Sequence, residues 1–134
     1  MALPNIGTLV RSSGRSCDTW SLEYTCGASG AVTLDTDGDD DGAWTDQDPR
    51  VSTPVEDSGN TGLTTIRFPK CRRVRVLHCS IEEPTAGTAV QMAQVVDILP
   101  SSGTASVRVV DGTFALADAT TNARVRVVLQ LEYN

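Results

Sequence analysis

The last run of the chain constrains its fold more than any other. In ARVRVVLQLEY, the residues Val125, Val127, Leu129, Leu131 and Tyr133 alternate with Arg124, Arg126, Val128, Gln130 and Glu132. Only a repeat of two residues puts these apolar side chains on one face, as in a strand with one buried and one wet side. A helical repeat would scatter the same charges round the axis. The same period recurs in DTWSLEYTC, where Trp20, Leu22, Tyr24 and Cys26 fall together, opposite the polar positions between them.

Other runs fit the same pattern. Ala31 to Leu34 and Leu63 to Phe68 read as short strands, with Pro69 at a strand edge or bend. In Arg73 to Ile81, strict alternation sets Val74, Val76 and His78 opposite Arg73, Arg75, Leu77, Cys79 and Ile81. AVQMAQVVDIL, residues 89 to 99, fits either period, and its β-branched residues and the closing Pro100 decide for strand. Val107 to Val110, Asp111-Gly112 and Thr113 to Leu116 read as a hairpin, because Asp-Gly suits a two-residue type I′ turn.

These runs predict an all-β chain: a single-domain β-sandwich or jelly-roll-like barrel of roughly seven or eight strands with an extended N-terminal arm. At 134 residues one domain is expected. Residues 1 to 16 carry glycines, serines, a proline and two arginines without either period and read as the arm, leaving 17 to 134 for the β domain. Within it, 35 to 61 reads as a long irregular acidic loop, and long loops in compact domains usually carry function.

The net charge of -6 argues against nucleic-acid and anionic-membrane binding, both of which need a positive field. The charge is strongly separated along the chain. Asp35 to Asp57 holds nine acids against Arg50 alone, whereas Arg67 to Arg75 holds five bases and no acid. Asp37-Gly38-Asp39-Asp40-Asp41-Gly42-Ala43-Trp44-Thr45-Asp46-Gln47-Asp48 fits the spacing of a calcium loop. Carboxylates of Asp37, Asp39, Asp41 and Asp48 and the carbonyl of Ala43 would surround one hard cation, with Gly42 at the sharp turn. Two departures set the alternative of a solvated acidic turn beside it. Asp48 stands where the longer Glu is usual, and the flanks read as strands rather than helices.

Lys70, Arg72, Arg73 and Arg75, with Arg11 and Arg15 of the arm, are the candidate partner-interface residues. Arg73 and Arg75 should project from one face, either as a charged edge that blocks strand-to-strand aggregation or as a contact for an acidic partner such as the Asp-rich loop of another copy. His78 is the only histidine, and no nucleophile elbow, zinc-helix motif or phosphate loop accompanies it, so a non-enzymatic role is expected. Cys17, Cys26, Cys71 and Cys79 show neither C-x-x-C spacing nor a companion histidine cluster and are expected as reduced thiols. The start, MALPNIGTLVRSSGRS, lacks the basic and apolar regions of an export signal, so synthesis in the cytoplasm is expected.

The layout of a polar arm, a β domain rich in Thr, Val, Gly and Ala, and a strongly alternating final strand resembles small structural proteins of tailed-bacteriophage virions. TGLTTIRFPKCRRVRVLHCSIEEP and GTASVRVVDGTFALADATTNARVRVVLQLEYN carry the resemblance. It implies a head decoration or cement protein, a homotrimer made in the host cytoplasm that sits on the virion shell, binds the major capsid protein and bridges capsomers. A tail or fibre component is the alternative within virions. A calcium-dependent β-sandwich module that stacks a carbohydrate on Trp44 is the alternative outside them.

Overall fold

The computed structural model describes residues 16–27, 31–34, 52–57, 59–82 and 91–133. The arm up to residue 15 and the span 35–51, with its Asp-rich motif, lie outside them. The described residues form eight strands and no helix: β1 Ser16–Cys26, β2 Val32–Leu34, β3 Val55–Glu56, β4 Leu63–Arg67, β5 Arg73–Glu82, β6 Gln91–Leu99, β7 Thr104–Asp111 and β8 Arg124–Tyr133. They make two antiparallel four-stranded sheets, β2-β1-β8-β5 and β3-β4-β7-β6, packed as a β-sandwich. β8 pairs with β1 on one side and β5 on the other, while β7 lies between β4 and β6. The hairpin β6-β7 thus belongs to one sheet and the pair β5-β8 to the other, and the chain changes sheet four times, between β2 and β3, β4 and β5, β5 and β6, and β7 and β8.

The core follows the alternation. Trp20, Leu22, Tyr24 and Cys26 of β1 and Val125, Val127, Leu129 and Leu131 of β8 are buried, meeting Ile66, Ala105 and Val107 from the second sheet and Phe68 just past β4. Removing such side chains from water is the main stabilising contribution, about 1.5–3 kcal/mol for each large one. Glu23 is buried too, on the outer side of the first sheet, where Arg124 approaches its carboxylate at 3.9 Å.

Three local features depart from the sequence reading. β3 lies inside the stretch read as irregular, and two residues suffice because Val55 and Glu56 pair with Thr65 and Thr64 of β4. β5 holds a bulge: Val76 faces Leu129 and His78 faces the next residue, Val128, leaving Leu77 as the extra residue. Alternation therefore changes phase there, so Cys79 and Ile81 join Val74 and Val76 on the inner face and His78 turns outward, where its Nε2 lies 2.8 Å from Ser80 Oγ.

The third departure is the Asp111-Gly112 turn. Neither residue has positive φ; Phe114 does, at 65°. Phe114 N donates to Asp111 O and Asp111 N to Ala115 O, which makes a three-residue loop closed by one left-handed residue, followed by a single bridge between Val110 and Leu116. Hydrogen bonds from the Thr113 hydroxyl and from the Thr113 and Ala115 amides hold the Asp111 carboxyl below its usual range. What this cage contributes is therefore present at neutral pH and is lost as pH falls through the lowered value. A left-handed phenylalanine costs about 1–2 kcal/mol, and this one is 74% exposed, with little packing to lose. Phe114→Asn, which accepts that conformation more readily, should stabilise the fold by about 0.5–1 kcal/mol in urea titration. A loss of stability would show that the ring packs on its surroundings.

Candidate interaction surface

β5, the last strand of the first sheet among the described residues, places the basic residues at that sheet's margin, and its other end, Cys79 to Ile81, borders a groove shared with Gln91 to Gln94 of β6. The chain leaves β4 through Phe68 and Pro69, is tied by Cys71 N to Pro100 O and by Arg72 N to Glu132 O, and then enters β5. Lys70, Arg72, Arg73 and Arg75 are all exposed. Arg73 lies across from Glu132 and Arg75 from Gln130, so the two arginines share the outer face, as their spacing requires. Lys70, Cys71 and Arg72 line a shallow open depression with Tyr133. The structure therefore gathers four of the six interface candidates, while Arg11 and Arg15 lie outside the described residues. So do the calcium-loop positions Asp37, Asp39, Asp41, Ala43 and Asp48, and Trp44.

Apolar residues accompany the charges. On the β5 margin Leu77 is 50% exposed and Val76 38%. Strict alternation already put Leu77 on the arginine face; the exposure of Val76, on the opposite face, is what the sequence reading missed. Glu82, across from Arg124, ends the same strand with the opposite charge.

No family model, curated protein or solved structure matches the chain.

The cysteines are all free thiols: Cys26 buried, Cys71 and Cys79 half-buried, and Cys17 exposed. Burial pushes the Cys79 thiol up to about 11 and raises that of Cys71 as well, so both are overwhelmingly protonated at neutral pH and poor nucleophiles. Burial likewise drives the Tyr24 phenol far above its ordinary range; Cys26 and Cys79 add to the shift and a hydrogen bond with Thr64 opposes it. Tyr24 and Cys26 border a cleft between the sheets of about 10 Å³, room for one water. Among the described residues, no three of His, Cys, Asp or Glu converge as a metal site would require.

Proposed function

We propose that this chain is a non-enzymatic structural subunit of a tailed-bacteriophage virion, a decoration or cement protein that docks on the capsid shell. The observation that carries this reading is the exposed basic cluster of Lys70, Arg72, Arg73 and Arg75 where the chain enters β5. A positive strip on an otherwise acidic protein favours a partner with an acidic surface and disfavours wrong approaches through like-charge repulsion. The layout shared with small virion proteins supports the shell as that partner.

Lys70 and Arg72 precede β5 and give the cleanest test. The double substitution Lys70→Glu and Arg72→Glu should abolish most co-sedimentation with undecorated capsids of the virus that encodes the chain, while the β circular-dichroism spectrum stays unchanged. Binding of the wild-type protein should fall steeply as salt rises. Failure of the wild-type protein to sediment with those capsids at low salt would overturn the proposal.

A further inference from the structure

The β5 edge has an order of residues that reads alike from both ends. Arg73, Arg75, His78, Ser80 and Glu82 occupy the outer face, because they lie across from Glu132, Gln130, Val128, Arg126 and Arg124 of β8. Val74, Val76, Cys79 and Ile81 occupy the inner face, across from the buried Leu131, Leu129, Val127 and Val125. In a regular strand, two residues placed symmetrically about the midpoint between neighbours fall on opposite faces. The extra residue at Leu77 shifts the alternation by one, so in β5 they fall on the same face. Backbone N–H and C=O directions alternate with the same period and are shifted with it.

From this symmetry we infer that β5 is a self-pairing edge that joins two copies of this chain antiparallel about a two-fold axis between Leu77 and His78. Arg73 then lies opposite Glu82 of the second copy, Val74 opposite Ile81, Arg75 opposite Ser80, Val76 opposite Cys79 and Leu77 opposite His78. The four pairs that flank the bulge have matching faces. The two-fold axis makes two Arg73 to Glu82 ion pairs, one at each end, and the exposed Leu77 and Val76 are covered at the centre. Centring the pairing within the basic half instead would set Arg73 against Arg75 of the other copy, which like-charge repulsion opposes. The first sheets of the two copies become one continuous sheet, and an edge that is unpaired among the described residues is closed. In place of the trimer expected from the resemblance, this geometry specifies a dimer.

The pairing goes beyond the shell-docking proposal and does not rest on it, since it engages Arg73 and Arg75 and leaves Lys70 and Arg72, which precede β5, for the shell: particle mass reports the first and co-sedimentation the second. Sedimentation velocity of the full chain should give a dimer. Arg73→Glu and Glu82→Arg, made singly, should each weaken it by about tenfold or more, since two attractive pairs become two repulsive ones. The double variant R73E/E82R should recover the dimer. It keeps the same unfavourable neighbours on β8, Glu132 and Arg124, so recovery reports the contact between copies rather than the fold. Val76→Cys should cross-link on mild oxidation to Cys79 of the second copy, and Cys79→Ser should abolish that cross-link. A wild type that is monomeric at about 0.5 mM, or an oligomer whose mass neither charge reversal alters, would overturn the inference.

Discussion

Trp20→Ala is expected to cost about 3–5 kcal/mol of unfolding free energy, a large fraction of what a domain of this size possesses. Trp20 is fully buried at the middle of β1, faces Leu129 of β8, and meets Phe68 edge-on with ring centroids 6.1 Å apart. It therefore packs between its own sheet and the connection that leaves β4, and β8, hydrogen-bonded along β1, cannot collapse into the space it would leave. The melting temperature should fall by about 10–20 °C. Trp20→Phe should cost less than half as much. It keeps an aromatic ring against Phe68 and removes an indole Nε1 that is buried without a hydrogen-bond partner, an arrangement that itself costs about 1–3 kcal/mol. Urea titration followed by far-ultraviolet circular dichroism measures both. A loss below about 1 kcal/mol for the alanine variant would mean that the ring is not the keystone its burial indicates.

Where side-chain alternation alone decides the structure, the sequence is readable. β1 and β8 need nothing else: Trp20, Leu22, Tyr24 and Cys26, like Val125 to Leu131 in alternate positions, are buried as their spacing requires. The exposure of Arg73 and Arg75 on one face is legible for the same reason. β3 is not, because two residues carry no period and Val55 and Glu56 are strand only through their pairing with β4. The bulge in β5 is a property of the pair β5-β8, so nothing in RVRVLHCSI alone announces that Leu77 is the extra residue. The self-complementary edge depends on that residue, which hid it from a reading that assumed unbroken alternation. Asp111-Gly112 misled in a different way. The dipeptide marked the turn correctly, but the left-handed position went two residues further on, to Phe114, because Asp111 uses its carboxylate to hold the Thr113 and Ala115 amides.

Gly103→Ala is expected to destabilise the protein by about 2–4 kcal/mol, although it adds only one methyl group, at a buried turn position. Gly103 has φ of 69°, closing the turn between β6 and β7, where any L side chain is strained by about 1–2 kcal/mol. The added Cβ would also collide with the carbonyl oxygen of Phe68. That backbone cannot yield cheaply. Phe68 N donates to Gly103 O at 2.9 Å and Cys71 N to Pro100 O at 3.0 Å, so the β6-β7 turn and the β4-β5 connection are locked together. Relieving the clash would break one of these bonds, at about 1 kcal/mol, and loosen the segment that presents Lys70 and Arg72. Gly59→Ala is the matched control. Its φ lies outside the left-handed region and the nearest atom to the new Cβ is Asp57 Oδ1 at 3.6 Å, so a change within about 0.5 kcal/mol is expected. Thermal and urea unfolding of the two variants side by side separates general glycine effects from this contact. Equal losses at both positions would show that the turn tolerates a side chain, and that the lock between the two connections is weaker than its hydrogen bonds indicate.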